Sequence, residues 1–301
     1  SDANLVKNAM SGQLDYAYTK DVSDIKALAG SDKVTTTAVD VRYTRLMYVN
    51  KFDKADGSKA VLNDPRVRQA MMFAIDMDSI GESLFDGTIV SANSLIPNAA
   101  DKADGLDPYD YNPEKAKELL SEAGWDESTT IDVAYYYNDQ ITVDLMTSIQ
   151  AYLAEVGMKM DFRLVEGDLA TILWSTPEDM TNGPSAVEWD MVYAATAALS
   201  LHEYYDRYGI DSSINSHTPY SEELQGLIDA TNATTDPDAA TAAFKELTKY
   251  ENEELFVLPL YYMPITLVTS PKLEGSLDLS KLGNPQFNWN WDIQNWDLSA
   301  E

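Results

Sequence analysis

The sequence predicts an α/β protein, and three observations carry that prediction. Residues 130–137 alternate apolar and polar as a strand, 139–156 follow as a long helix ending at Gly157, and 158–165 alternate again. That strand–helix–strand order suits parallel strands joined by a right-handed crossover. Helix starts are marked elsewhere by a capping residue before proline, at Asn63-Asp64-Pro65 and Asn112-Pro113. Over 301 residues, 45% hydrophobic and 10% aromatic content is enough for one large core or two ordinary domains.

The elements follow in order. A helix over 5–10 stops at Ser11-Gly12, residues 13–18 alternate as a strand, and Asp21 caps a short helix over 22–28. Residues 33–40, rich in Val and Thr, and 45–50 read as strands. After the Asp64-Pro65 start, Val67, Ala70, Met71, Ala74 and Ile75 share one face of a helix over 66–75. A second helix starts near Asp76 or Asp78 and ends at Asp86-Gly87. Residues 91–110 read as an extended loop, and a helix over 115–123 ends at Gly124. Beyond the strand–helix–strand unit, 174–188 is a loop rich in Thr, Pro, Asn and Gly, and 189–195 is an apolar strand. Helices over 221–232 and 236–254, each capped at its start, precede short strands at 256–260 and 264–269. The tail over 287–296 is aromatic and rich in Asn.

Composition narrows the chemistry. Fifty Asp and Glu against 21 Lys and Arg give a net charge of -29, which repels a nucleic-acid backbone. The acids are spread along the chain, so solubility is the plain reading of that charge, with attraction of cationic ligands as the alternative. There is no cysteine, hence no disulfide, thiolate metal site or cysteine nucleophile, and His202 and His217 are the two histidines. No apolar run approaches the ~20 residues that span a bilayer. No basic-then-apolar leader opens the sequence, so membrane contact is expected only through a lipid anchor or permease outside this chain.

Several segments, in one order, resemble the bacterial extracellular solute-binding proteins of family 5, the peptide and nickel type. These are Asn63-Asp64-Pro65-Arg66-Val67-Arg68-Gln69-Ala70 with Ala74-Ile75-Asp76, preceded by Tyr48-Val49-Asn50. Tyr111-Asn112-Pro113-Glu114-Lys115-Ala116-Lys117-Glu118-Leu119-Leu120 follows, with Glu122-Ala123-Gly124-Trp125. Ile149-Gln150 leads to Gly157-Met158, and Pro259-Leu260-Tyr261 stands near the C-terminal return. These are caps, helix faces and turns that build a lobe; Arg66 and Arg68 read as surface or packing residues.

The resemblance implies a type II periplasmic-binding-protein-like lobe, a mixed sheet flanked by helices, with end segments that belong to the other lobe. Residues 1–45 would be part of a first lobe and hinge, 46–265 the second lobe and 266–301 the return to the first, most of which is expected to be missing. Trp289, Trp291 and Trp296 would be core or hinge residues of that first lobe. It further implies capture of a small solute, peptide or other, for the permease subunits of an ABC importer, outside the cytoplasm, with no resident cofactor or metal.

The family's peptide binders carry a tryptophan and then an aspartate within the segment that 189–199 resembles, the aspartate pairing with the peptide's amino terminus. Counted from Trp189-Asp190, those positions hold Thr196 and Leu199, and leucine cannot make the charge-assisted bond. Glu203 takes that role if the loop is shifted. The candidate ligand residues are therefore Tyr43, Trp174, Tyr193, Thr196, His202 and Glu203, an aromatic wall with a few polar groups suited to a small organic ligand. A nickel or metal-chelate binder of the same family is the nearer alternative, and a sensor using the same fold is another. A secreted carboxylate-dependent hydrolase is the alternative from a different class. His202-Glu203 lacks the second histidine of H-E-x-x-H, and neither a nucleophile elbow nor a phosphate loop is present.

Overall fold

The computed structural model of the chain describes residues 4–209, 212, 216–273 and 293–297. Its centre is a mixed sheet of six strands. Strand β3 (Tyr43–Val49) is flanked antiparallel by β7 (Met191–Ala197) on one side and β8 (Val257–Tyr262) on the other. Beyond β7 lie β5 (Thr130–Tyr135) and β6 (Lys159–Leu164), parallel to one another, and beyond β8 lies the two-residue β4 (Val90–Ser91). The parallel β5–β6 pair is the unit expected from the alternation at 130–137 and 158–165, and helix α6 (Gln140–Glu155) connects it.

Period two puts alternate residues of each strand on opposite faces, and both faces are covered. One face buries Met47, Val49, Val133, Met191 and Tyr193. It lies against α6 and against α3 (Pro65–Ala74), α4 (Met77–Phe85) and α5 (Pro113–Ala123). The other face buries Leu46, Tyr48, Ala134, Val192 and Ala194. Over it lie α7 (Leu169–Trp174), α8 (Leu201–Tyr205), α9 (Glu222–Asn232) and α10 (Pro237–Glu254). The caps work as the sequence implies: the carboxylates of Asp64, Asp139 and Asp236 and the side chain of Asn112 each accept a first-turn N–H. Such a cap is worth about 1 kcal/mol.

A second, three-stranded sheet is built from both ends of the chain. Strand β9 (Ile265–Thr269) lies between β1 (Tyr16–Thr19) and β2 (Thr35–Val39), antiparallel to each. Val268 packs with Leu5 and Ala9 of α1 (Leu5–Met10) and Leu28 of α2 (Val22–Leu28), while Ile265 and Leu267 face Val41. Residues 40–42 and 263–264 carry the chain between the two sheets. Trp296 meets Tyr16 edge-on at 4.8 Å, whereas Trp289 and Trp291 lie outside the described residues.

Sequence and structure part company in short elements. Helices α7 and α8 are six and five residues long, and too few residues repeat for a helical period to register. The stretch expected as a plain loop over 91–110 contains the end of β4, paired with β8, and a 3₁₀ turn at Ala99–Asp101 capped by the Asn98 side chain.

Candidate ligand-binding cleft

Several strands end together at one edge of the large sheet: the C-termini of β5 and β7, the start of β3 and the end of β8. Open α/β sheets take ligands beyond the carboxyl ends of their strands. Here a cleft of about 620 Å³ opens between that edge and α2, whose first residues form the far wall with Lys20. Arg45, Tyr193 and Tyr261 line its sheet side, and Ile141, Leu145 and Phe85 make its floor apolar.

Arg45 is the centre of this wall. It sits on the same face of β3 as Met47 and Val49, and its neighbours across the ladder are Ala195 and Tyr261. The guanidinium lies 4.2 Å from the ring centre of Tyr137 and 5.5 Å from those of Tyr43 and Tyr193. Lys20, on the opposite wall, stands 4.1 Å over the Tyr43 ring. Burial lowers the Lys20 pKa, and repulsion from Arg45 lowers it further. Burial raises the hydroxyls of Tyr43 and Tyr193 and pushes Tyr261 up to about 12, so these rings are neutral phenols at neutral pH. Tyr193 and Tyr261 share one hydrogen bond of 2.6 Å.

The carboxylates at the rim are already engaged. Asp21 caps α2, accepting from the N–H groups of Ser23 and Asp24, and Asp139 caps α6 through Thr142 N–H. Lys26 is paired with Asp86 at 2.5 Å.

The six residues singled out in the sequence divide between the two faces. Tyr193 lines the cleft, and the Tyr43 ring stands beside two of its lining residues, Arg45 and Lys20. Trp174 packs edge-on against Tyr48 at 5.2 Å beneath the opposite face. Thr196 is buried there too, accepting from Arg207 Nη2, and Arg207 also donates to the Tyr204 carbonyl and to the Tyr48 hydroxyl. His202 lies 4.9 Å from the Phe244 ring with Nε2 3.3 Å from the Thr231 carbonyl, and Glu203 accepts from Leu199 N–H at 2.7 Å. The structure thus gathers two of the six around Arg45 and sets the other four on the opposite face, among α7 to α10. Arg45, Lys20 and Tyr137 escaped the sequence reading. The signal for Arg45 was a charge at an otherwise apolar position of a central strand.

The comparisons with known proteins agree with one another. The profile of the bacterial extracellular solute-binding proteins, family 5, middle part, matches residues 1–216. A Brucella abortus protein provisionally described as an ABC transporter peptide-binding protein is 26% identical over 285 residues, covering 88% of this chain and 50% of the relative. The nickel-binding periplasmic protein of Escherichia coli is 25% identical over 240 residues, covering 72% of this chain and 43% of that protein. The chain therefore spans half or less of the length of these relatives. Among solved structures, the ABC transporter substrate-binding protein CtaP of Listeria monocytogenes superposes with a TM-score of 0.76 at 17% identity, over 93% of this chain and 56% of that one. This likeness shows the type II periplasmic-binding-protein fold.

Proposed function

The chain belongs to the bacterial extracellular solute-binding proteins of family 5, and we propose that it captures a small organic solute in the cleft between its two sheets for delivery to the permease subunits of an ABC importer. The observation that carries this reading is the cleft itself, an aromatic and cationic wall of the large sheet facing α2 of the small one. In this reading the ends of the chain, which build the small sheet, are parts of a first lobe and the large sheet with its helices is the second, and hinge motion at 40–42 and 263–264 would open and close the cleft. The protein would act outside the cytoplasm and catalyse nothing. Among the described residues no helix is long and apolar enough to cross a membrane.

A metal would enter this cleft as a chelate, because no three His, Asp or Glu side chains among the described residues converge to hold a bare ion. The chelate reading is therefore the second candidate, and a peptide or other carboxylate-bearing solute the first. A thermal-shift screen against dipeptides, oligosaccharides and metal chelates tests the proposal. A ligand at 100 times its dissociation constant raises stability by roughly 2.7 kcal/mol. Absence of a shift with every class would overturn solute capture.

A further inference from the structure

We propose that Arg45 is the anchor for a carboxylate group of the captured solute. The inference rests on the solute-capture reading and specifies what that cleft selects. Arg68, packed under α3, donates to the carbonyls of Leu62, Asn63, Glu254 and Leu255. Arg207, under the opposite face, donates to the Tyr204 carbonyl and the hydroxyls of Tyr48 and Thr196. Arg45 differs from both. Its Nε and Nη1 are shielded from solvent and hydrogen-bond to nothing among the described residues. No salt bridge among the described residues includes it either, in a chain that has 50 carboxylates to offer.

Leaving buried guanidinium N–H groups without acceptors is costly, and the cost counts for more in a low-dielectric setting. The rings of Tyr43, Tyr137 and Tyr193 offset part of it by cation–π attraction. A ring face attracts the charge but accepts no in-plane N–H bond, so the Nε and Nη1 N–H groups are left over. The surrounding phenols are neutral, and the rim carboxylates of Asp21 and Asp139 are committed to helix caps. Lys20 places a second cation 4.1 Å over the far side of the same cleft's Tyr43.

Two cations, an aromatic box and an apolar floor describe a receptor for an organic anion. A planar carboxylate fits best, because it can accept two parallel N–H bonds from one guanidinium. Peptides supply such a group at their C-terminus, and amino-acid chelates of a metal supply it on the chelator.

The test is a double-mutant cycle by titration calorimetry on wild type, Arg45→Gln and Arg45→Lys. The probes are alanyl-phenylalanine against its C-terminal amide, and nickel with L-histidine against nickel with histamine, which lacks the carboxylate. In wild type, loss of the carboxylate should weaken binding about 10- to 100-fold, the range for a charge-assisted hydrogen bond. In Arg45→Gln the two members of a pair should bind alike, with the neutral member near its wild-type affinity, and Arg45→Lys should restore part of the difference. The pair that responds identifies the source of the carboxylate. Equal binding of both members by wild type, or equal weakening of both in Arg45→Gln with its melting temperature kept, overturns the anchor and leaves solute capture standing. If wild type binds none of the four probes, solute capture and the anchor fall together.

Discussion

Arg66 and Arg68 stand two residues apart in one motif, and the structure predicts very different consequences of removing them. Arg68 makes five hydrogen bonds of 2.6 to 3.0 Å to four carbonyls, joining the start of α3 to the end of α10. Its side chain is 2% exposed, and burial lowers its pKa to about 10, which leaves it charged at neutral pH. Arg68→Met keeps the packing volume but strands the carbonyls of Leu62 and Leu255, which are buried, and those of Asn63 and Glu254, which are partly so. At about 1–3 kcal/mol for each buried orphan, offset by relief of the guanidinium's own desolvation, the loss is about 3–5 kcal/mol. For a chain of this size that lowers the melting temperature by roughly 6–10 °C. Arg66 is 45% exposed, pairing with Asp64 at 2.6 Å and donating to the Glu122 carbonyl. Arg66→Ala should cost about 1 kcal/mol or less. Urea melts of both variants compare the two directly. Equal losses, or a loss below about 1 kcal/mol for Arg68→Met, would refute the claim that buried carbonyls, and not the motif's charge, set its energetic worth.

Other consequences follow from single contacts. Burial pushes Glu251 up to about 7 against an ordinary value of 4.5, with the hydroxyls of Tyr205 and Tyr208 donating to it. A raised carboxyl favours the folded state below pH 4.5, and that contribution, about 3 kcal/mol at most, is lost as pH rises to 7. Urea melts across that window should show a flatter pH dependence for Glu251→Gln than for wild type, and parallel curves would contradict the assignment. Asp190 is buried, paired with Lys54 at 2.8 Å and accepting from Asp132 N–H, so Asp190→Ala should cost about 3 kcal/mol by thermal melting. Gly124 ends α5 at φ 69° with open space where a Cβ would sit. Gly124→Ala should therefore cost about 1 kcal/mol through backbone conformation alone, with near-identical spectra of the folded state.

Legibility of the fold tracked the strength of local chemistry. Helices α3, α5, α6 and α10 were readable because each opens on a side chain that does cap it, three of them with proline next. The β5–α6–β6 unit was readable from its change of period. What the sequence could not announce was partnership at a distance. Nothing in 265–269 says that it leaves the sheet of β8 to lie between β1 and β2, some 230 residues away in the chain. The resemblance implied a return of 266–301 to the first lobe but no pairing partner, and a buried β9, apolar on both faces, is the physical basis of the pairing.

Two of the six candidate residues meet at Arg45, and parity accounts for one that does not. Thr196 is a candidate through its count from Trp189-Asp190, yet it stands an odd three residues from Tyr193, and odd spacing on a strand sends side chains to opposite faces. Tyr193 therefore meets Arg45 in the cleft while Thr196 is buried against Arg207. The same rule applied to β3 puts Tyr43, Arg45, Met47 and Val49 on one side. An arginine second in that row, followed by two core residues, is a charge that the strand does not need for folding. Read with Tyr193 across the sheet and Tyr137 beyond β5, the row leads to one aromatic wall around a cation. The family resemblance points to β7 and the loop after it; alternation along the strands points to Arg45.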